Sequence, residues 1–152
     1  MKVAICILVL MLSNFAFAEE AQLGLILGST SGLSGKYVFD GDEAIDGALA
    51  YASDGKYGIS IHADYLNNKA RQFTLRQLNP LNMYYGVGLR IMNIRTGTDS
   101  GKSRLGLRAP IGLSLKTVKP DLEIFGELAA VLDVTPSTDV TIEVGIGARV
   151  RF

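Results

Sequence analysis

The 152-residue sequence predicts an all-β fold, an eight-stranded antiparallel up-and-down barrel. Three observations predict it. Turn signals recur at short intervals, the segments between them alternate apolar and polar residues with period two, and most of the 17 glycines fall on the polar side of that alternation. No stretch of useful length keeps a 3.6-residue period, so helices are not expected. Successive hairpins of this kind build an antiparallel meander rather than a parallel sheet.

Ahead of the strands lies a leader. Lys2 precedes an apolar run from Val3 to Leu12, followed by Ser13, Asn14 and the small-x-small site Ala16-Phe17-Ala18. That order of features reads as a secretory signal over 1–18, with cleavage expected between Ala18 and Glu19. The apolar run is too short to span a bilayer as a helix. Cys6 stands before the apolar core rather than at its end, which argues against a lipoprotein, and it leaves with the signal. The expected mature domain, 19–152, has no cysteine and 14 basic residues against 15 acidic ones.

The strands follow in order. The first, 22–28, sets Leu23, Leu25 and Leu27 against Gly24 and Gly28, and the Thr30-Ser31-Gly32 turn ends it. The second, 33–39, puts Lys36 on the polar face and Phe39 on the apolar one, before the Asp40-Gly41-Asp42 turn. The third, 44–53, carries Asp46 inward and Tyr51 outward, up to Ser53-Asp54-Gly55. The fourth, 57–66, lines up Ser60, His62 and Asp64 on the polar face opposite Tyr57 and Tyr65, and a long connection from Asn67 to Pro80 follows. The fifth, 81–92, alternates Leu81, Met83, Tyr85, Val87, Leu89 and Ile91 with Asn82, Tyr84, Gly86, Gly88 and Arg90. The sixth, 104–116, opposes Leu105, Leu107, Ala109, Ile111, Leu113 and Leu115 to a row that includes Arg104, Arg108 and Lys116. The seventh, 122–133, places Glu123 and Glu127 on the polar face and ends before Thr135-Pro136-Ser137-Thr138. In the eighth, 139–152, Val140, Ile142, Val144, Ile146, Ala148, Val150 and Phe152 face one way, and Glu143, Arg149 and Arg151 the other.

Charged residues make up 20% of the chain, yet none falls on the apolar face of any of the eight strands. Alternation alone fits a soluble barrel as well as a membrane one. The glycines decide which face is inside. Gly24, Gly28, Gly58, Gly86, Gly88, Gly106, Gly112, Gly145 and Gly147 lie on the polar face, against Gly35, Gly47 and Gly126 on the apolar face. Glycine on a water-exposed face weakens a strand for no return, whereas the crowded lumen of an eight-stranded barrel needs small neighbours for long side chains. The polar face is therefore read as the lumen and the apolar face as lipid-facing, which makes this a transmembrane β-barrel. Aromatics near strand ends agree: Tyr51 and Tyr57 at one rim, and Phe39, Tyr65, Tyr85 and Phe152 at the other, as in interfacial girdles.

A cleaved signal, eight alternating strands and the ending Gly145-Ile146-Gly147-Ala148-Arg149-Val150-Arg151-Phe152 resemble the small outer-membrane barrels of two-membraned bacteria. Gly32-Leu33-Ser34-Gly35-Lys36, His62-Ala63-Asp64-Tyr65-Leu66, Tyr84-Tyr85-Gly86-Val87-Gly88 and Asp133-Val134-Thr135-Pro136-Ser137-Thr138 resemble one such family of unknown function. That family is similar in fold to the transmembrane domain of outer-membrane protein A. The resemblance implies an outer-membrane location, contact with outer-membrane lipids, and a C-terminal Phe152 read by the barrel-assembly machinery. It implies no chemistry.

By parity the lumen holds Lys36, Arg90, Arg108 and Arg149 with Asp46, Asp64, Glu123, Glu127 and Glu143, and His62 beside them. Arg104, Lys116, Arg151, Asp133 and Asp139 are expected nearer the rims. Buried charge must be paired, so these near-equal numbers predict a self-neutralising plug rather than an ion path. Ser60, His62 and Asp64 share a strand face and raise the alternative of a lipid-modifying barrel enzyme, of the lipid A deacylase or acyltransferase type. A lone strand histidine among carboxylates and arginines is more often structural, and a non-enzymatic role is expected. Zero net charge argues against nucleic acid as a partner, and one His with one Cys excludes a His/Cys-rich metal cluster or a disulfide framework. No cofactor or metal is expected, and the barrel is read as a monomer. Asp40-Gly41-Asp42-Glu43 reads as a polar turn before a cation loop. The outer connections, near 29–32, 54–56, 93–103 and 134–138, are short for an adhesin or receptor. Lys69, Arg71 and Arg76, with Phe73, Leu75 and Leu78, could touch headgroups or a periplasmic partner, but extension of the flanking strands is the preferred reading.

Overall fold

The structure of the chain, a computed structural model, describes residues 20–40, 42–73 and 81–152. The expected leader with Cys6, Gly41 of the polar turn, and Leu75, Arg76 and Leu78 lie outside them, and of Lys69, Arg71 and Phe73 only the backbone is described. Eight strands run in order: β1 (Glu20–Gly28), β2 (Thr30–Asp40), β3 (Glu43–Ala52), β4 (Tyr57–Phe73), β5 (Leu81–Ile94), β6 (Ser103–Lys116), β7 (Leu122–Thr135) and β8 (Asp139–Arg151). Each pairs antiparallel with its neighbour in sequence, and β1 pairs with β8 to close the barrel. The closing register runs from Gln22 opposite Arg151 to Gly28 opposite Gly145. Closure leaves no free edge, so the wall satisfies its own backbone groups.

The turns follow from local chemistry. Between β3 and β4 the Asp54 carboxylate accepts hydrogen bonds from the backbone N–H groups of Lys56 at 3.0 Å and Tyr57 at 3.2 Å. Gly55 beside it takes a left-handed φ of 72°, which a side chain would strain. β1 passes to β2 through Ser29 alone.

Burial alternates along every strand, and it is inverted relative to a soluble barrel. The outward face is Leu, Ile, Val and Tyr, while the most buried side chains include Arg149, Glu123, Asp64 and Asp133. Inner-face glycines make this packing possible. A Cβ at Gly112 would overlap the Tyr84 ring, and one at Gly88 would overlap the Asp64 carboxylate. The outward Gly126 has no such neighbour; the nearest side-chain atom would be Ile146 Cγ2 at 4.0 Å. Crowding on one side and room on the other is the distribution expected of a narrow filled barrel.

Two details depart from the sequence reading. Gly32, expected in a turn, lies within β2, where a Cβ would meet the backbone of Leu49 and Ala50. Tyr57, expected in an outer girdle, pairs with the inward-facing Ile94, because the register shifts between Tyr57 and Ser60. Such an irregularity re-aims a side chain, and Tyr57 lies under the Arg104 guanidinium, 5.1 Å from its ring centre. In keeping with the preferred reading of that segment, β4 runs on beyond its pairing with β3 to Phe73, pairing Arg71 with Met83 and Phe73 with Leu81 after a second irregularity at Asn67–Arg71. The first half of the connection from Asn67 to Pro80 is thus strand.

Candidate functional site

Among the described residues, ionisable side chains from distant parts of the chain converge in the lumen. Parity puts them there, and the barrel diameter makes them touch. Every sequence-predicted lumen residue is buried: Lys36, Asp46, His62, Asp64, Arg90, Arg108, Glu123, Glu127, Glu143 and Arg149. At the end nearer the chain termini, Lys36 Nζ on β2 meets Glu123 on β7 at 3.0 Å, and Gln22 donates to the same carboxylate at 3.1 Å. Arg149 on β8 donates to Asp46 on β3 at 2.8 Å and to the Ser34 hydroxyl at 2.8 Å, while its guanidinium stacks 3.9 Å from the Phe125 ring centre. The stacking is a cation–π contact in a dry setting, where it is worth more than at a surface.

Arg108 occupies the middle. Its guanidinium contacts Asp64 on β4, Glu127 on β7 at 2.5 Å and Glu143 on β8 at 3.3 Å. The Tyr84 hydroxyl donates to the other oxygen of Glu127 at 2.9 Å. Toward the opposite end, Arg90 bridges Glu143 at 2.5 Å and Asp133 at 2.6 Å, and Arg104 reaches Asp133 at 2.7 Å and Asp139 at 3.0 Å. Most of these pairs join strands that are not neighbours in the sheet, so they brace the wall from within. Removing one partner from such a pair leaves a buried charge uncompensated, at about 3–5 kcal/mol.

Sequence reasoning placed Asp133 and Arg104 near a rim. Asp133 stands opposite Asp139, the first residue of β8, and Arg104 is the second residue of β6, yet both are buried and Asp133 holds two guanidiniums. Parity puts Asp133 on the inner face; its two arginine partners come from β5 and β6. Lys116 and Arg151 do lie at a rim, both paired with Glu20, and Arg151 also with Asp121 at 2.9 Å. Tyr84, under Lys36, and Phe125, under Arg149, are lumen features that the sequence reading does not single out, although parity alone puts both inside.

Ser60, His62 and Asp64 stand side by side on β4, as expected, with Ser60 fully buried. His62 Nε2 lies 4.0 Å from Asp64. The Ser60 hydroxyl makes no hydrogen bond, so His62 is not placed to take its proton. Cavities open at both barrel ends. One of about 320 Å³ is lined by residues including Thr30, Tyr57, Arg90, Arg104, Asp139 and Glu143. At the other end, one of about 110 Å³ is lined by Lys36, Val38, Asp42, Asn68, Asn82, Ser114 and Lys116.

The fold and interior together define a class: closed eight-stranded barrels with an apolar exterior and an ion-paired core. No family model matches the chain, and no curated protein matches it. Among solved structures, the chain is similar to the N-terminal β-barrel domain of Pseudomonas aeruginosa OprF, with a TM-score of 0.57 at 18% identity. The match covers 88% of this chain and 96% of that one. At that identity the likeness concerns the fold, and on the fold it agrees with the strand order described above.

Proposed function

We propose that the protein is an integral outer-membrane β-barrel with a plugged lumen and a structural or surface-interaction role. The observation that carries this reading is the inverted wall. Leu, Ile and Val cover the outside of a closed sheet, and among the described residues Lys36, Asp46, Asp64, Arg108, Glu123 and Arg149 are turned inward and paired. In water such an exterior would be one continuous apolar patch, far beyond what soluble monomers expose. In a bilayer it is the expected lipid-facing band. The resemblance to outer-membrane barrels and the likeness to the OprF domain support the same location. Export would follow from the leader over 1–18, and Phe152, 74% exposed at the end of β8, would serve as the assembly signal.

The plug reading rests on Arg108 and Arg149, which fill the interior between the two end cavities and are each held by several partners. An ion path needs mobile water where these side chains pack. Short connections at the end away from the termini, such as Ser29 alone between β1 and β2, favour a structural role over a receptor built from long loops. The lipid-modifying alternative needs a base on Ser60, and the hydroxyl makes no hydrogen bond and is sealed inside the lumen.

Membrane fractionation with electrophoresis of boiled and unboiled samples tests the assignment. An outer-membrane barrel is expected to sediment with membranes and to migrate differently before and after heating. A soluble protein with heat-independent mobility would overturn it.

A further inference from the structure

At the end of the barrel away from the chain termini, Tyr51 on β3 faces outward, just beyond the apolar row that contains Leu49 and Ile61. The Arg95 guanidinium lies over its ring, 5.6 Å from the ring centre. Arg95 follows the last residue of β5, so it reaches Tyr51 by crossing β4 on the outer side of the wall. The sheet is shaped for that crossing. Where the register shifts, Gly58 and Ile59 stand opposite the single residue Asn93. A Cβ at Gly58 would meet the Asn93 side chain and the stem of Arg95, with Cδ at 3.0 Å and Cγ at 3.1 Å. Glycine in this bulge leaves room for the stem to lie against the wall. The Arg95 backbone is held as well. Its N–H donates to the Lys56 carbonyl at 3.0 Å, and its carbonyl accepts from the Ser100 hydroxyl at 2.7 Å.

Among the described residues, the Arg95 guanidinium has no carboxylate partner, and the acids of this end are engaged elsewhere. Asp54 accepts from the backbone of Lys56 and Tyr57, Asp99 pairs with Lys102 at 2.7 Å, and Asp133 and Asp139 hold Arg104. A guanidinium surrounded by water needs no counterion. This one lies on the lipid-facing side, at the edge of the apolar band, where aromatic girdles mark the headgroup level. Its outward neighbours are neutral hydrogen-bonding groups: the Tyr51 hydroxyl, the Asn93 amide, and Ser103 directly opposite Asn93. A fixed cation with neutral polar neighbours and no carboxylate suits an anion, and a guanidinium matches a phosphate group through two parallel N–H donors.

We propose that Arg95, held over Tyr51, binds the phosphate of a lipid headgroup in the outer leaflet. The inference rests on the outer-membrane reading above, which sets this end of the barrel in that leaflet. The phosphate supplies the counterion that the protein does not, and the Asn93 amide offers a second donor beside it. Stacking on Tyr51 keeps the guanidinium on the wall, so less side-chain freedom is lost when the lipid binds. Below the phosphate, the lipid's chains run down the apolar face that Leu49, Ile59 and Ile61 present. Attachment of headgroup and chains to the same stretch of wall is what separates a lipid from a free anion here.

The test is native mass spectrometry of the full chain refolded into detergent, with lipid A as the probe and heat-dependent gel mobility reporting barrel formation in each sample. The expected result is lipid A retained by the folded wild-type barrel and bound at least about tenfold more weakly by Arg95→Gln, the loss of one charge-assisted contact. Lys102→Gln removes an exposed cation at the same end that is already paired, and should stay within about twofold of wild type. Equal retention by Arg95→Gln overturns the proposal, as does an equal loss in Lys102→Gln. If Arg95→Gln does not fold, lipid A stripped of its phosphates decides on the wild-type chain: weaker retention supports the site, and undiminished retention overturns it. Inorganic phosphate that displaces lipid A at equal concentration marks a free-anion site and overturns the lipid assignment. A membrane-bound, heat-modifiable chain that retains no lipid A overturns this inference alone, whereas a soluble chain overturns the outer-membrane reading and this inference with it.

Discussion

On β8, Ile146 and Arg149 stand three residues apart, the first 63% exposed and the second 2% exposed. The same contrast repeats across β3, where Leu49 faces out and Asp46 faces in, and across β6, where Leu107 faces out and Arg108 in. The outer and inner faces of one wall therefore answer to different surroundings. Outside, any apolar side chain of moderate size fits, because nothing in the protein packs against it. Inside, each group has assigned partners on distant strands, and space is limited to the point that glycine is required beneath Tyr84 and beside Asp64. The outer face is specified by composition and the inner face by geometry.

The sharpest way to break the inner face is Arg108→Ala. It strips three carboxylates of their shared cation. The expected cost is about 3–5 kcal/mol, read as a lower urea midpoint for loss of the heat-modifiable gel form. An unchanged midpoint would mean that the interior is wet enough to solvate Asp64 and Glu127. A smaller effect is expected from Leu89→Arg on the outer face, midway along β5. In a bilayer it should cost about 2–4 kcal/mol, and next to nothing if that face meets water. Comparing the same variant in lipid and in detergent-free buffer thus isolates the role of the surroundings. The mildest comparison adds one methyl group to each face. Gly112→Ala drives a Cβ into the Tyr84 ring and should cost about 1–3 kcal/mol, whereas Gly126→Ala should stay within about 0.5 kcal/mol. Equal effects of the two would remove the distinction between a crowded and an open face.

Much of this was legible in the sequence because a strand's side chains alternate without exception until a bulge intervenes. Glu123, Glu127, Glu143 and Arg149 could be assigned to the interior from parity alone, and each is buried there. What parity could not supply was depth and direction at irregular points. Tyr57 was read as facing lipid, and the register shift before Ser60 turns it under Arg104. Asp133, expected nearer a rim, stands opposite the first residue of β8 and is nonetheless fully buried, holding Arg90 and Arg104. Bulges arise from backbone geometry shared between two strands, and no one-dimensional pattern carries that information.

The residue order by itself determined the number of strands, their antiparallel succession and which side chains face inward. These depend on a two-residue period and on local turn chemistry, both of which are properties of short segments. Only the tertiary structure decided who pairs with whom. Whether Lys36 answers Asp46 beside it or Glu123 across the lumen depends on barrel radius and strand stagger. These fix distances between residues that are 87 positions apart in the chain. Electrostatic pairing in a narrow lumen is a matter of a few ångströms, and those ångströms exist only once the sheet has closed.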